Sequence, residues 1–600
     1  MAHLSENARP LGRLIFDLKS LSELSSIKSA EADVWCLLLP YLTNQNNSEI
    51  KNEAISCLVD LAQRLKDDSV LTILTSSEQA AEIYLQLKPH LKFQLWVVVK
   101  LESPVSTPGV LPAHHAALLV LSKYPDSLKH TRTRISYTYC PFCERTTKDY
   151  GGKKHLYHEY GTLMSDIWRD ISYKLNEFPE QIIQRLQDLF GILPHKTLKV
   201  VDLRKISGAV FTINEPPAVY SNLFKNNDHE IARESKLIHQ DCLLALREMP
   251  SESIDFCFAD PPYNIAKKYD NWDDSRDLKE YFDWCDLWLS ELARVLKPGR
   301  FCCILNIPLW AIRHYAHLTK IMAFYNWIVW DGLSLPVRLI MPAHYTLLTL
   351  SKGPASPLPG LTRDAHTPLE LNSLLTLKDD YCLRASCIQS RKKAGIQDQE
   401  NITNLWWDIH RLKHNSKRVD HPTQLPPRLM YRLISLFTNE GEIVLDPFNG
   451  VGTTSLAAEK LDRKFIGIEI SSYYYEISKK RHLELRSGID PFRKNENVPN
   501  AKNSRVKRLP KQKYKVSKKI LQLEIKKIFQ KLGKIPSREE VRLYSEYPIE
   551  YFDQYFIDWG EACAAARTTG MTEKKHSGTR NQKHHPQLKL FENDQDAKKS

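Results

Sequence analysis

Apolar positions along this chain follow two periods, one of two residues and one of about 3.6 residues. Residues 254–259 alternate apolar side chains with smaller or polar ones and stop at Pro261 and Pro262, which predicts a buried strand ending in a stiff turn. Apolar side chains between residues 278 and 296 recur every three or four positions and predict an amphipathic helix that stops at Lys297-Pro298-Gly299. This alternation predicts an α/β fold with a mainly parallel sheet.

The turn that follows residues 254–259 carries candidate chemistry. It reads Asp260-Pro261-Pro262-Tyr263 and presents a carboxylate, a rigid backbone and an aromatic ring. These groups stand at the carboxyl end of a predicted strand, where open α/β sheets bind ligands. An Asp-Pro pair is also an ordinary turn, so this stretch alone leaves a purely structural role open.

A second motif occupies residues 442–471. A predicted strand runs into Asp446-Pro447-Phe448-Asn449-Gly450-Val451-Gly452, a helix follows from about Thr453, and a further strand ends in Glu469. Glycines let a backbone approach a ligand closely, and an acidic residue about 20 positions on can accept hydrogen bonds from ribose hydroxyls. The loop lacks the glycine spacing of dinucleotide sites and the Lys-Ser/Thr end of a P-loop, which disfavours both.

Together the two motifs resemble the DNA amino-methyltransferases of the β arrangement, in which the Asp-Pro-Pro-Tyr turn precedes the cofactor loop. The resemblance covers about residues 236–485. Within it, His421-Pro422-Thr423-Gln424 resembles the family's HPTQKP stretch, although Leu425 replaces the usual Lys. The resemblance implies a Rossmann-like methyltransferase fold that uses S-adenosyl-L-methionine and acts on double-stranded DNA.

The resemblance also implies roles for single residues. The implied catalytic residues are Asp260, Pro261, Pro262 and Tyr263. The implied cofactor-binding residues are Thr423, Asp446, Pro447, Phe448, Gly450, Gly452, Thr453 and Glu469. Asp446 would hold the amino-acid part of the cofactor, Glu469 would hold its ribose, and Tyr263 would stack on a base flipped out of the duplex.

Several functions remain open at this point. Asp-Pro-Pro-Tyr resembles the version found in adenine N6 methyltransferases, whereas the cytosine N4 enzymes of this order more often carry Ser at the first position. No cysteine follows the prolines, which argues against the covalent mechanism of cytosine C5 methylation. Adenine N6 in DNA is favoured, and cytosine N4 methylation, RNA methylation and non-catalytic DNA binding are the alternatives.

Residues 1–215 contain a faint copy of the second half. Four matched pairs have sequence offsets that grow steadily, from 222 through 230 and 238 to 244: Tyr41/Tyr263, His114/His344, Asp170/Asp408 and Asp202/Asp446. This predicts a tandem duplication; chance similarity between α/β repeats is the alternative. In this alignment Leu38 and Leu39 replace Asp260 and Pro261, so the first copy would be degenerate and would serve to pack, to pair with the second copy or to hold DNA.

Residues 137–160 of the first copy hold a candidate zinc loop. Cys140 and Cys143 are followed by His155 and His158, a ligand set typical of structural zinc sites. Ordinary polar loop residues are the alternative. Cys382 and Cys387 occur near the corresponding place of the second copy, without a matching histidine pair.

The catalytic domain is expected to span residues 236–487, with a polar target-recognition insert at 354–420. A basic linker at 488–514 precedes a helical region at 515–567, which resembles the small repeat found with homing endonucleases and implies auxiliary DNA binding; plain helical packing is the alternative. The insert is rich in basic residues expected to contact DNA, namely Arg384, Arg391, Lys392, Lys393, Arg411, Lys413, Lys417 and Arg418.

The tail, residues 568–600, is predicted to be disordered and contains a short apolar cluster. Gln587, Leu588, Leu590 and Phe591 resemble the motif with which bacterial replication and repair proteins dock on the sliding clamp. A chance match of five residues is the alternative. The replication sliding clamp is therefore one predicted partner, and a separate restriction endonuclease is another.

Composition places only broad limits on the number of domains, the class of partner and the cellular compartment. A chain of 600 residues is expected to form two to four domains, and its net charge of +13 suits a polyanionic partner. Its 12 scattered cysteines form no small disulfide framework, which favours a reducing cytoplasm over secretion. No apolar run has membrane-spanning length, so a membrane protein is not expected.

Overall fold

The computed structural model describes most of the chain. The described residues are 13–17, 24, 32–41, 48–106, 109–124, 131, 133–146, 161–192, 196–204, 234–265, 274–332, 344–362, 364–412, 419, 421, 423–492, 516, 518–556 and 559–563. The chain divides into two compact units, Met1–Val506 and Lys507–Ser600. In the described part of the chain, no helix is both long and apolar enough to cross a membrane.

The first part of the larger unit is built on a seven-stranded sheet. Its strands and two-residue ribbons are β1 (Arg13–Asp17), β2 (Val34–Leu38), β3 (Val70–Thr75), β4 (Lys92–Val105), β5 (Ala113–Ser122), β6 (Arg134–Ile135), β7 (Tyr139–Cys140), β8 (Arg145–Thr146), β9 (Thr162–Leu163), β10 (Ile167–Tyr173) and β11 (Leu198–Asp202). Its helices are α1 (Ser48–Arg64), α2 (Ser77–Leu87) and α3 (Glu180–Phe190). The sheet has the order β1-β11-β2-β3-β5-β4-β10.

The second part of this unit contains an eight-stranded sheet and the candidate site. Its strands are β12 (Lys236–His239), β13 (Ile254–Ala259), β14 (Leu296–Asn306), β15 (Ala323–Asp331), β16 (His344–Ser351), β17 (Leu375–Leu377), β18 (Gln399–Asn401), β19 (Leu405–Trp406), β20 (Ile443–Asp446) and β21 (Lys464–Glu469). Its helices are α4 (Cys242–Glu248), α5 (Leu278–Val295), α6 (Pro308–Leu318), α7 (Pro359–Thr362), α8 (Pro368–Ser373), α9 (Ala385–Lys393), α10 (Pro427–Phe437), α11 (Thr453–Lys460) and α12 (Ser472–Arg486).

The eight-stranded sheet has the order β12-β21-β20-β13-β14-β16-β15-β19. All pairs are parallel except those that β16 makes with β14 and β15. Strands β13, β20 and β21, which carry the two candidate motifs, are therefore adjacent and run in one direction. The predicted Rossmann-like α/β fold is confirmed, and the helix predicted from residue 278 ends at Val295, directly before β14.

The two large sheets repeat one strand order. Strands β11-β2-β3-β5-β4-β10 match β20-β13-β14-β16-β15-β19, and in both series only the pairs made by β5 or β16 with their neighbours are antiparallel. Beyond β11 the next strand is β1, from the start of the chain, whereas beyond β20 it is β21, which follows in sequence. This likeness supports the predicted duplication, which stays a prediction, and shows that the flanking strands have different origins in the chain.

The strand register changes one detail of the predicted alignment. Leu38 pairs with Asp202 in the first sheet, whereas in the second sheet Cys257 pairs with Leu445, so Asp446 is level with Phe258. With Asp202 matched to Asp446, Leu38 therefore corresponds to Phe258 rather than to Asp260, and the counterpart of Asp260 falls at Pro40. This register differs from the sequence alignment by two residues, because apolar strands look alike at neighbouring registers. Neither alignment gives the first copy a carboxylate at this place.

The two parts of the larger unit meet through matched residues. The rings of Trp96 in β4 and Trp327 in β15 stack with centroids 4.7 Å apart and an angle of 8° between their planes. Buried His344 Nδ1 lies 2.9 Å from Asp166 Oδ2, and the His114 backbone N–H donates to Asn404 Oδ1 at 2.8 Å. Because His114 matches His344 in the repeat, the two halves contact each other in a nearly symmetric way.

The insert at 354–420 is folded against the catalytic sheet. Buried Arg432 of α10 donates to both carboxylate oxygens of Asp408, at 2.7 and 3.0 Å, and also to the carbonyl oxygens of Ser373 and Leu375. A buried ion pair between Arg463 and Glu370 adds a second attachment. These bonds make the described part of the insert a fixed extension of the domain.

The smaller unit is helical. Its helices are α13 (Lys518–Leu532), α14 (Arg538–Tyr544), α15 (Ile549–Tyr555) and α16 (Trp559–Ala562). Helix α14 begins with a capping box, since Ser537 Oγ accepts from the Glu540 N–H and the Glu540 carboxylate accepts from the Ser537 N–H. Leu521, Ile525 and Phe552 lie in its core. The clamp-like motif at 587–591 and most of the linker at 488–514 lie outside the described residues.

Candidate active site

The turn at residues 260–263 is fixed by the helices beside it. The Tyr281 hydroxyl of α5 donates to the Pro262 carbonyl oxygen at 2.7 Å, and Trp310 Nε1 of α6 donates to the Tyr263 carbonyl oxygen at 2.8 Å. Both aromatic side chains are buried. The half-buried Asp260 carboxylate therefore projects from a rigid backbone at the end of β13.

Tyr263 is held within this turn. Its ring is 6% exposed, and its hydroxyl donates to Asp260 Oδ1 at 2.9 Å. The ring of Tyr345 lies 6.3 Å away, centroid to centroid, and Arg411 Nη1 donates to the Tyr345 hydroxyl at 2.8 Å. The predicted stacking of Tyr263 on a base would need this hydrogen bond or its surroundings to change. Tyr345 is a neighbour of the 260–263 turn that the sequence motifs did not reveal, and its partner Arg411 was expected only as a basic residue of the insert.

The glycine loop after β20 adopts a backbone that only small residues tolerate. Gly450 and Gly452 have φ values of 52° and 84°. A Cβ at Gly450 would lie 3.0 Å from His421 Nε2, and a Cβ at Gly452 would lie 2.4 Å from Ser478 Oγ. Glycine is therefore required at both positions by conformation and by space. The loop leads directly into α11, which begins at Thr453.

Two buried carboxylates flank this loop. Both oxygens of Glu469 accept backbone N–H groups, from Gly450 and from Ser471, at 2.8 Å each. Burial raises the pKa of Glu469 to about 7, although these hydrogen bonds oppose the shift. Asp446 accepts from the Phe448 N–H at 2.9 Å, and burial raises its pKa to about 6. Each carboxylate oxygen still has acceptor capacity for a ligand.

An open cleft brings the predicted motifs together. Of the predicted site residues, it is lined by Asp260, Pro262, Thr423, Pro447, Phe448, Gly450 and Glu469. Asp446, Gly452 and Thr453 support the loop without lining the cleft. The motifs thus meet at the carboxyl ends of adjacent parallel strands, where open α/β sheets bind ligands.

The cleft also contains residues that the sequence motifs missed. Asp241, which caps α4 by accepting from the Leu243 and Leu244 N–H groups, lines one wall, and Trp284 of α5 lines another. Trp284 is half-buried and faces the cleft, whereas Trp288 and Trp327 are buried. The sequence feature that could have identified Asp241 is its position just after the end of strand β12.

His421, the first residue of the His-Pro-Thr-Gln stretch, lies beside the glycine loop. Its ring packs against Tyr474 with centroids 4.6 Å apart, and its Nδ1 accepts the Thr423 N–H at 3.2 Å. The same ring limits the space at Gly450. This segment therefore packs against the glycine loop at Gly450.

The basic residues of the insert that were expected to contact DNA differ in their exposure to solvent. Arg391 was expected to face DNA, and this was wrong: it is fully buried and its Nε donates to Asp398 Oδ2 at 2.6 Å. Lys392 and Lys393 on the same helix are exposed. Lys413, Lys417 and Arg418 lie outside the described residues.

The cysteines of the predicted zinc loop have other partners than expected. Cys140 and Cys143 lie beside Cys382 and Cys387, and all four sulfur atoms are within 4.8 Å of one another. His155 and His158, the other two predicted ligands, lie outside the described residues.

Comparison with known proteins places the cleft in context. The model of a DNA methylase family matches residues 254–480. Type II methyltransferase M.BamHI from Bacillus amyloliquefaciens is 32% identical over 328 residues, which are 49% of this chain and 72% of that protein. DNA adenine methyltransferase YhdJ from Escherichia coli (strain K12) is 31% identical over 251 residues, covering 41% and 81%. The structure of the cytosine-N4-specific PvuII DNA methyltransferase aligns over 41% of this chain and 85% of its own, with 19% identity and a TM-score of 0.30.

Proposed function

Since the chain belongs to the N6/N4 family of DNA methylases, we propose that it transfers the methyl group of S-adenosyl-L-methionine to the N6 amino group of adenine at specific sites in DNA. The observation that carries the proposal is the cleft in which the Asp260 turn, the Gly450 loop and Glu469 meet. A reacting base and a methyl donor must lie side by side, and this cleft has the motifs for both on adjacent strands.

The described residues fit S-adenosyl-L-methionine. The cofactor carries a positively charged amine and sulfonium and a ribose with two hydroxyl donors, and the cleft offers the carboxylates of Glu469 and Asp241 with Asp446 behind the loop. Gly450 lines the cleft without a side chain, so its backbone is accessible to the ligand. Phe448, held edge-on to Trp288 at 5.0 Å between centroids, supplies an apolar wall for an adenine ring.

Bound S-adenosyl-L-methionine supplies an electrophilic methyl group; the chain must make the amino nitrogen nucleophilic. The lone pair of that nitrogen is delocalised into the base. Asp260 and the Pro261 carbonyl oxygen would accept its two N–H groups and so localise the lone pair for in-line attack. In this transfer the methyl group would pass from the sulfur to the amino nitrogen, and Asp260 would accept the amino proton and pass it to water. The Tyr263 hydroxyl, 2.9 Å from Asp260, helps to fix the carboxylate.

Adenine is favoured over cytosine on the identity of the turn and on the likeness to an adenine methyltransferase. Cytosine N4 is the second candidate, because the matching family takes in methylases of both amino groups. The test is to incubate the protein with DNA and isotope-labelled S-adenosyl-L-methionine, digest to nucleosides and identify the product by mass spectrometry. N6-methyldeoxyadenosine supports the proposal, N4-methyldeoxycytidine replaces the base, and no labelled nucleoside with any DNA overturns it.

Auxiliary contacts are proposed for the C-terminal region. The helical repeat would bind DNA without sequence preference, and the tail motif at 587–591 would dock on the replication sliding clamp. A pull-down with purified clamp tests the second idea: binding should vanish in Leu590→Ala/Phe591→Ala while methylation of free DNA is unchanged. No binding by the intact protein at micromolar concentration ends it. A separate restriction endonuclease acting at the same site would be revealed once the methylated sequence is known.

A further inference from the structure

We propose that the chain holds a structural zinc ion between Cys140, Cys143, Cys382 and Cys387. Two of these cysteines come from the first half of the larger unit and two from the insert of the catalytic half. Their four sulfur atoms lie within 4.8 Å of one another, and three of the four residues are buried.

The spacing of the sulfur atoms matches zinc. Cys140 Sγ lies 3.9 Å from Cys387 Sγ, and Cys143 Sγ lies 3.8 Å from Cys382 Sγ. Zinc binds thiolates at about 2.3 Å in a tetrahedron, which places neighbouring sulfur atoms roughly 3.8 Å apart. A disulfide would need about 2.05 Å. All four cysteines are free thiols, so the cluster has the geometry of a metal site rather than of two bridges.

The local backbone is built to present these sulfur atoms. The ribbon pair β7 and β8 forms a tight hairpin around Cys140 and Cys143, in which the Glu144 N–H donates to the Cys140 carbonyl oxygen at 2.9 Å and Glu144 has a φ of 52°. On the other side, Cys387 lies in the first turn of α9 and Cys382 precedes this helix. A hairpin with a Cys-x-x-Cys pair facing a second cysteine pair is typical of zinc sites.

A buried arginine fits the charge of the loaded site. Four thiolates around Zn²⁺ carry a net charge of −2. Arg391, which is fully buried, donates to Cys387 Sγ at 3.0 Å and to the Cys382 carbonyl oxygen at 3.3 Å. Its Nε donates to Asp398, which holds the guanidinium in place. Hydrogen bonds of this kind orient metal ligands and offset their charge, and they account for a basic residue in a position that faces no solvent.

The site would tie the two halves of the larger unit together. The contacts Cys140–Cys387 and Cys143–Cys382 join residues 247 and 239 positions apart. The ion pair of Lys100 with Asp379, 2.5 Å apart, joins the same two parts of the chain. A metal that cross-links distant segments stabilises the folded state because its ligands are not gathered in the unfolded chain. The degenerate half would thus be held to the catalytic half by the metal.

The test is the metal content of the purified full-length protein, measured by elemental mass spectrometry. About one zinc per chain is expected, and this content should fall to near zero in Cys382→Ser/Cys387→Ser. Cys57→Ser, which removes a thiol of the first half outside the cluster, should keep the zinc. His155→Ala/His158→Ala should also keep it, which separates this ligand set from the Cys2His2 set that the sequence alone suggested.

Three results would overturn the proposal. These are no stoichiometric metal in the wild-type protein, iron in place of zinc, and loss of zinc from the histidine variant while the Cys382/Cys387 variant retains it. A mercurial thiol reagent tests the folded wild-type protein without any substitution and should release about one zinc per chain. These readouts are independent of methylation, so the proposed activity stands or falls separately.

Discussion

At the scale of single residues, the candidate site depends on groups whose surroundings are fixed before any ligand binds. Asp260 projects from a turn whose backbone is held by Tyr281 and Trp310, and Glu469 is oriented by two backbone N–H groups. Preorganised polar groups of this kind act on the transition state without reorganising during the reaction. Their substitution should therefore affect the rate more than the fold.

Asp260→Asn should reduce the methylation rate by ~10²–10³ or more, because the amide cannot accept the amino hydrogen as a carboxylate does. Binding of S-adenosyl-L-methionine, measured by calorimetry, should remain, since Asp260 stands at the base side of the cleft. Asp67→Asn, on an exposed carboxylate of the first half, is the matched control. A methylation rate equal to that of the wild type would remove Asp260 from the mechanism.

Affinity for S-adenosyl-L-methionine should depend on pH through Glu469. Burial raises its pKa to about 7, so the carboxylate is increasingly protonated below that pH and loses acceptor capacity and charge. The Kd should therefore rise as pH falls below about 7, by up to roughly tenfold per unit for one proton. Glu469→Gln should weaken binding and flatten this profile, whereas exposed Glu248→Gln should not. A wild-type Kd that is constant between pH 6 and pH 8 would contradict the assignment.

The same carboxylate should change stability in the opposite direction. Because its folded pKa lies above the usual value of 4.5, the ligand-free folded state binds more protons than the unfolded state between about pH 4.5 and 7. This contribution of Glu469 to the free energy of unfolding is thus fully present at low pH and is lost as pH rises toward 7. The ligand would reverse that loss by pairing with the ionised form.

Where a motif was present, the sequence predicted residues that the structure brings together. The Asp260 turn, the Gly450 loop and Glu469 were selected because their residue types and order are specific, and all three line one cleft, while their chemical roles stay predictions. Asp241 and Tyr345 were missed because each is an ordinary residue whose importance comes only from which strands the sheet makes adjacent. Arg391 was assigned to the surface because composition does not reveal that a charge is buried with Asp398.

At the scale of elements, two sheets of one strand order meet through a nearly symmetric interface. The periodicity of the sequence predicted β13, β20 and β21, and increasing offsets predicted a repeat, which stays a prediction. The sequence could not specify the strand register to the residue, because apolar strands do not determine which neighbour each residue pairs with. The sequence alignment matched Leu38 to Asp260, whereas the strand register matches it to Phe258 when Asp202 is matched to Asp446. The sequence also did not show that the strands flanking β11 and β20, β1 and β21, come from different places in the chain, because no local pattern specifies the order of strands in a sheet.

Trp327→Ala should test the interface between the sheets. Trp327 is 1% exposed and stacks on Trp96, so its removal should lower the free energy of unfolding by ~3–5 kcal/mol in urea titrations. Tyr124→Ala, on an aromatic residue that is 51% exposed, should change it by less than about 0.5 kcal/mol. In a double-mutant cycle, Trp96→Ala and Trp327→Ala should show a coupling of about 0.5–1.5 kcal/mol. Strict additivity of the two substitutions would mean that the rings contribute independently.

At the scale of the whole molecule, catalysis and general DNA affinity are expected to reside in different parts of the chain. The net charge of +13 is partly concentrated in the region that precedes and includes the helical unit, with basic residues at Arg505, Lys507, Arg508 and Lys511. Phosphate contacts release counterions, so binding through such residues weakens steeply with salt and carries little sequence information. Site recognition would instead belong to the insert, which is attached to the catalytic sheet by Arg432 and Arg463.

A chain that ends at Val506 should test whether catalysis and general DNA affinity reside in different parts of the protein. The boundary is chosen because Arg481 donates to the Pro491 carbonyl oxygen at 3.1 Å and lies over the Phe492 ring, so a cut at 487 would remove residues packed on the catalytic domain. The shortened protein should bind all DNA sequences more weakly, and its binding constant should fall less steeply with salt, by about 0.9 in logarithmic slope for each DNA phosphate that the removed residues would neutralise. A chain that ends at residue 567, lacking only the tail, should retain both properties. The methylated sequence, determined by single-molecule sequencing of DNA exposed to each protein, should be the same in all three cases, and a changed sequence would place site recognition in the helical unit instead of the insert.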